Sequence, residues 1–349
     1  MTLAAESETP GGTLLPELRR MHVSRPPRLF LAALRHAGRD WTGGTFTLVH
    51  PDGESETFGQ AGSGPDATLR VRDWAFARRA LASGDIGVAE SYIAGEWDTP
   101  DLATLLTVLA DNYERLNRLA VGGGLVRAMN WLRHSLFRKN SERQAKRNIH
   151  AHYDLGNAFY SAWLDPSMTY SSALFAHGDE ALEAAQARKY ESLCEAMGLE
   201  PGMSVLEIGC GWGGFAEFAA KEIGARVTAI TISQEQHDFA RRRMFDRYRK
   251  RVDFIQQYVF PGGMLISEPR LAEEAERAGL KVTATRRFGP DYARTLALWA
   301  VRFEAAWDTL RAQGFDEQFR RLWRFYLAYC EAGFRTGRTD VIQVVLEPA

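Results

Sequence analysis

A chain of 349 residues, 25% charged and 45% hydrophobic, is long enough to bury two separate cores. Its formal net charge of −1 names no partner, so any basic surface has to be local. Three cysteines, Cys194, Cys210 and Cys330, without CxxC or Cys/His ligand spacing, argue against a disulfide framework or a metal site and suit a reducing cytoplasm.

The opening "MTLAAESETPGG" lacks the basic and then apolar pattern of a signal peptide, and residues 1–24 read as a loose polar tail. No stretch approaches the roughly 18 apolar residues of a membrane-crossing helix, so any membrane contact is expected to be peripheral. "TFTLVHPDGESETFG" (45–59) alternates apolar and polar residues around Pro51-Asp52-Gly53, which predicts a hairpin. "ATLRVRD" (67–73) predicts a further strand. "WAFARRALASG" and "GVAESYIAGEW" predict short helices ended by Gly84 and Gly95. "DLATLLTVLADNYERLNRLA" predicts one longer helix with Asp101 near its start. Residues 25–120 thus read as a small α+β domain.

Residues 121–149 form a basic amphipathic linker. Between Arg127 and Arg147 lie seven Lys/Arg and one Glu, while Leu125, Met129, Leu132 and Leu136 recur at helical spacing. Such a helix suits an anionic bilayer surface, or it is an interdomain helix whose charges are simply solvated.

From residue 150 to 349 the pattern becomes α/β. "MSVLEIG", "GGFAEFAAKEIG", "ARVTAITIS" and "QEQHDFARRRM" read as strand, helix, strand, helix, and "LKVTATRRF" and "TDVIQVVLEP" as two final strands. The first strand runs into "VLEIGCGWGG", with Gly209, Gly211, Gly213 and Gly214 within six residues. Bare backbone between a strand and a helix lets a ligand approach closely. The spacing fits both GxGxxG and GxGxG. A dinucleotide site usually carries an acid at the end of the second strand, where this chain has Thr231-Ile232-Ser233. Glu207 instead stands two residues before the glycines, as in class I S-adenosylmethionine methyltransferases.

The wider constellation carries more. "HAHYDLGNAFYSAWLDPSMTYSSALF", "PGMSVLEIGCGWGGFAEFAA", "VTAITISQEQ", "DFIQQYVFPGGML", "FGPDYARTLALW" and "YLAYCEAGFRTGRTDVIQVVL" occur in that order, and "GVAESYIAGEWD" adds the N-terminal part. Together they resemble the cyclopropane-fatty-acyl-phospholipid synthase family, which includes mycolic acid cyclopropane synthases, over nearly the whole chain. The resemblance implies transfer of a methylene from S-adenosylmethionine to the cis double bond of an unsaturated phospholipid acyl chain. It implies a cofactor site at Tyr153 and Asp154, at Val205, Leu206, Glu207, Ile208, Gly209, Cys210, Gly211, Trp212 and Gly213, and at Thr231, Ile232, Ser233, Gln234, Glu235 and Gln236. Thr231, Ser233 and Gln236 can hydrogen-bond a ribose or an amino acid group, and a Tyr153 ring face would favour a sulfonium cation.

Alkene methylation generates a carbocation, so the site must exclude water and surround that charge. The family uses bound bicarbonate as proton acceptor, and Tyr292 matches a position near that anion. Cys330 matches the position designated the active-site cysteine; by its spacing from Tyr326 and Leu327 it also suits a small apolar filler on a helix. Ser172 stands where some members carry cysteine. Cys194 and Cys210 read as packing and loop residues. The expected partner is a phospholipid bilayer surface at the inner face of the membrane, with no nucleic acid and with a homodimer compatible.

The chain also departs from the family. After "ARRRM" it passes directly into "FDRYRKRVDFIQQYVFPGG", so that roughly 75 residues are missing, among them the Glu and His expected to hold bicarbonate. The expected fold is therefore a class I methyltransferase (Rossmann-like) domain without its central strands 3–5, behind a small α+β N-terminal domain. The family's strand order, 3-2-1-4-5-7-6, leaves an edge of the first strand without its neighbour. Unpaired buried backbone costs about 1–3 kcal/mol per group, so the last strand is expected to close against the first, with Leu206 meeting Val344, unless this half is loosely ordered. Three functions stay open: a cyclopropane synthase, an inactive lipid-associated relic, and a methyltransferase for another lipid acceptor.

Overall fold

The computed structural model describes residues 22–120, 157–230 and 266–349. These fall into two compact units. The first contains residues 22–120 and 306–336, and the second contains 157–230, 266–305 and 337–349.

In the first unit, β1 (Thr45–Val49) pairs antiparallel with β2 (Ser55–Gly59) and parallel with β3 (Asp66–Val71). The order is β2-β1-β3-β4, with β4 (Trp97–Asp98) at the far edge. The predicted hairpin is present, closed by the His50 amide donating to the Glu54 carbonyl and the Gly53 amide to that of His50. α1 (Arg28–Ala37), α2 (Ala75–Ser83), α3 (Asp85–Ile93), α4 (Leu102–Asp111) and α5 (Tyr113–Ala120) complete the N-terminal part. Phe46, Leu48, Leu69, Trp74 and Leu105 are all buried in it.

The single helix expected after Asp101 is two helices. Asp101 caps α4 by accepting from the Thr104 amide at 3.0 Å. The break falls at Asn112, which is fully buried and whose amide donates to the Thr42 and Val108 carbonyls at 2.8 and 3.0 Å. Its side chain competes with the helix backbone for the same partners.

Two helices distant in sequence close this unit, α11 (Trp307–Ala312) and α12 (Glu317–Arg335), with α12 lying on α3 and α4. Arg321 of α12 donates to the backbone carbonyls of Tyr92 at 2.5 Å and Trp97 at 2.8 Å, and its guanidinium lies 4.0 Å from the centre of the Tyr92 ring. The "SYIAGEWD" segment therefore has a structural task, to seat this helix. Buried Glu96 within it is paired with Arg79 at 2.9 Å.

The second unit holds α6 (Asn157–Ser161), α7 (Leu182–Ala196), β5 (Ser204–Ile208), α8 (Gly214–Phe218, continued by a π turn over Ala219–Ile223), β6 (Arg226–Ile230), α9 (Glu268–Arg277), β7 (Leu280–Arg287), α10 (Gly289–Ala305) and β8 (Ile342–Pro348). β5 and β6 pair in parallel, as a β-α-β crossover requires. Tyr190 and Cys194 of α7 pack with Phe215, Ala219 and Ala225, and with Val205 and Val227 on the strands.

The expected closure of the last strand on the first does not occur. β8 pairs antiparallel with β7 in a separate ribbon, where Val344 lies opposite Thr285, and Leu206 belongs to the β5-β6 pair. The ribbon is tied to α7 instead. Arg286 donates to the Ser192 hydroxyl at 2.5 Å, which donates to Gln343 at 3.1 Å. β5 buries one face only, and on its other face Leu206 is 57% and Ile208 75% exposed. The fold is a class I methyltransferase-like α/β arrangement with a reduced central sheet. Among the described residues no helix is long and apolar enough to cross a membrane.

Candidate active site

The turn after β5 is built from left-handed glycines. Gly209, Gly211 and Gly213 have φ of 84°, 52° and 84°, a region that side chains rarely adopt. A Cβ added at any of the three would meet no atom within 4 Å. The turn is closed by the Gly213 amide donating to the Cys210 carbonyl at 2.8 Å. Gly214 serves differently, because a Cβ there would stand 2.3 Å from the Tyr190 hydroxyl and 3.0 Å from Thr169 Oγ1. Three glycines thus leave ligand space, and the fourth admits close helix packing.

Glu207 receives the Ala216 amide at the start of α8, while its Oε2 is buried without a partner among the described residues. Burial raises its pKa, and the Ala216 bond opposes that shift. A buried carboxylate oxygen lacking a donor is costly, so this position suits a ligand that brings a donor.

An aromatic cluster extends from the turn. The Trp212 ring lies 4.8 Å from Tyr160 and 6.5 Å from Tyr170. Tyr170 is 5.2 Å from Trp299, which also meets Trp163 at 5.7 Å and Tyr292 at 6.1 Å. Tyr160, Trp163 and Trp299 are fully or almost fully buried. The structure therefore brings two sequence-predicted positions, Trp212 and Tyr292, onto one continuous aromatic surface.

Between them runs the segment after α6. Ser167 is bonded to Asp165 and Thr169, and Thr169 to the Tyr190 hydroxyl beside Gly214. Ser172 is buried and donates to the Ala173 carbonyl at 2.8 Å, and the Ala173 amide donates to Thr295 of α10 at 3.0 Å. Gln186 of α7 donates to the Ser171 carbonyl at 3.0 Å, and Lys189 to its hydroxyl at 2.8 Å.

Of the remaining candidates, Val205, Glu207 and Cys210 are half-buried and Leu206 and Ile208 are exposed. Cys330 lies half-buried on α12 in the first unit, next to buried Glu331. Tyr153, Asp154 and Thr231, Ile232, Ser233, Gln234, Glu235 and Gln236 lie outside the described residues, as does the basic segment 121–149. Sequence reading missed Tyr160, Trp163, Asp165, Gln186 and Lys189. Gln186 and Lys189, polar residues three apart among the buried positions of α7, were the available signal.

The sequence profile of the family described as mycolic acid cyclopropane synthetase matches residues 140–251 and 241–344. The chain belongs to this family. It is 34% identical to a tuberculostearic acid methyltransferase of Mycobacterium tuberculosis over 86% of this chain and 87% of the relative. It is 31% identical to a cyclopropane-fatty-acyl-phospholipid synthase of Escherichia coli over 81% and 88%. A crystal structure of a mycolic acid cyclopropane synthase complexed with SAH and CTAB superposes with a TM-score of 0.50 at 26% identity, over 57% of this chain and 97% of that one. The open glycine turn and the orphaned Glu207 oxygen fit a family built around an adenosyl donor.

Proposed function

We propose that this chain is an S-adenosylmethionine-dependent enzyme of lipid biosynthesis that transfers a methylene to the cis double bond of an unsaturated phospholipid acyl chain. One observation carries the reading. A family-matched turn after β5 leaves open space over three glycines and lies against an aromatic surface that reaches Tyr292.

The donor, when bound, supplies an electrophilic one-carbon group. The chain's own residues do the rest. Gly209, Gly211 and Gly213 let the donor approach the backbone, and Glu207 offers an acceptor at the base of the turn. Trp212 and Tyr170, the partly exposed rings, would exclude water and face developing positive charge with π surfaces, worth about 0.5–2 kcal/mol per ring, and buried Tyr160 and Trp299 hold them in place. Tyr292, at the far end of that cluster, and Cys330 are the proposed catalytic positions; bicarbonate, when bound, would supply a proton acceptor, but two of its expected ligands are not among this chain's residues. Tyr153, Asp154 and the 231–236 segment are proposed to complete the donor site.

We further propose that roughly 75 residues corresponding to strands 3–5 are absent between Met244 and Phe245. The alignment to the tuberculostearic acid methyltransferase supports this, since its 381 positions draw on only 86% of a 349-residue chain. So does the family match, whose two segments share residues 241–251. The basic segment 121–149 is proposed to hold the protein at the inner membrane face. Domains are proposed as a tail to residue 24, an N-terminal domain to 120, that linker, and a methyltransferase part from 150.

Calorimetric titration of the full chain with S-adenosylhomocysteine tests the donor site; no binding sinks the reading. A second reading, a family member that binds donor without turnover, is favoured by the one-sided burial of β5. Binding without labelled methyl in extracted phospholipid would select it.

A further inference from the structure

Lys189 is buried, with 7% of its surface exposed. Its ammonium donates to Ser171 Oγ at 2.8 Å and to Gln186 Oε1 at 2.8 Å, and lies 4.8 Å from the centre of the Tyr190 ring. Among the described residues no carboxylate stands within ion-pair distance of it. A buried cation without a counter-ion is costly, and fold stability alone would favour an apolar residue of similar length.

The arrangement has a direction. Gln186 and Lys189 grip the Ser171 carbonyl and hydroxyl from α7, while Ser171 itself is exposed. A hydroxyl whose oxygen accepts from an ammonium has its own proton turned away from that ammonium and made a better donor. Ser171 Oγ makes no bond as a donor among the described residues. Just before it, Thr169 Oγ1 lies 3.0 Å from where a Cβ on Gly214 would stand, and the Tyr170 ring lies 6.5 Å from that of Trp212. The segment that carries Ser171 therefore runs beside the glycine turn.

We propose that Lys189 is a positioning residue of the donor site, whose buried ammonium fixes Ser171 and turns its hydroxyl outward to serve an anionic or carbonyl acceptor on the bound ligand. This rests on the donor-site reading above. Burial lowers the Lys189 pKa to about 7, and among the described residues the charge that opposes the shift is Asp165, on the segment after α6. On its own helix Lys189 faces Gln186 and the Tyr190 phenol, and Glu207 of β5 acts on Tyr190. The protonated form predominates below neutrality and the neutral form above it. The neutral amine polarises Ser171 far less, so ligand affinity falls as pH rises.

The test is calorimetric titration of the full chain with S-adenosylhomocysteine between about pH 6 and pH 9. Wild type, Lys189→Arg and Lys189→Met are compared. Wild-type affinity is expected to fall about tenfold across this range. Lys189→Arg, permanently charged, should hold its affinity throughout, and Lys189→Met should bind about tenfold more weakly at the acid end without a further fall. A wild-type profile that is flat, or that Lys189→Arg reproduces unchanged, overturns the role of Lys189 even where Lys189→Met fails to fold. Absence of wild-type binding at every pH overturns the donor-site reading as well, which separates the two failures.

Discussion

The ring of Trp212 lies 4.8 Å from that of Tyr160, inclined by 50°, so that the exposed glycine turn is anchored to a fully buried residue of α6. An aromatic pair of this kind contributes about 0.5–1.5 kcal/mol beyond area burial. Because Trp212 is itself only half-buried, its effect should fall on the shape of the turn more than on the core. Trp212→Ala is expected to weaken S-adenosylhomocysteine binding about tenfold while lowering the melting temperature by only a few degrees. Trp212→Phe should restore most of the affinity, and a loss as large as that of Trp212→Ala would show that the ring contact is not what matters.

The two kinds of glycine should part company under the same substitution. Gly211→Ala adds a methyl into open space at a left-handed residue, costing about 1 kcal/mol of stability but placing a group in the proposed donor site. Gly214→Ala drives a methyl against the Tyr190 hydroxyl and Thr169, so about 2 kcal/mol of stability should be lost. Urea melts and ligand titration, run in parallel, would read these as opposite ratios of stability loss to binding loss.

The state of the reduced sheet can be measured without a structure. In a complete sheet the apolar face of β5 would be covered, and truncating Ile208 would cost several kcal/mol. With Ile208 75% exposed, Ile208→Ala should cost less than about 1 kcal/mol. A cost of about 3 kcal/mol in denaturant melts would mean that this face is covered after all.

Glu331 makes stability depend on pH. Burial raises its pKa to about 7, against the opposing charge of Arg335 and with the help of Asp101. The folded state thus holds a proton that the unfolded state releases near the ordinary value of 4.5. Stability is highest below that ordinary value and falls as pH rises from there to about 7, levelling off above. Glu331→Gln should flatten this fall, which is of order 3 kcal/mol, and leave the variant relatively more stable at pH 8. Equal slopes for both proteins in thermal melts would contradict this.

Elements with local signals were legible in the sequence. The Pro51-Asp52-Gly53 hairpin, the Asp101 cap, the glycine turn after β5 and the pairs of terminal strands all stand where periodicity and turn residues put them. Long-range choices were not. Asn112 divides a helix because Thr42, seventy positions earlier, offers it partners, which no window around Asn112 reveals. The last strand had an attractive partner in β5, yet β7 offered a longer antiparallel register next to it in the ribbon. The donor-site wall was half legible. Its glycines announce themselves by type, whereas the proposed role of Lys189 and Ser171 rests on a contact across eighteen positions.

The return of α12 to the N-terminal unit has a consequence for biosynthesis. Trp323, Phe325 and Tyr326 are buried on a helix that lies on α3 and α4, so residues 22–120 leave the ribosome with the seat for that helix still bare. At about 5–20 residues per second, some ten seconds or more must pass before Arg321 arrives to bind the Tyr92 and Trp97 carbonyls. During that interval the nascent N-terminal half is a natural client for a chaperone, and a gene truncated before α12 begins at Glu317 would make that exposure permanent.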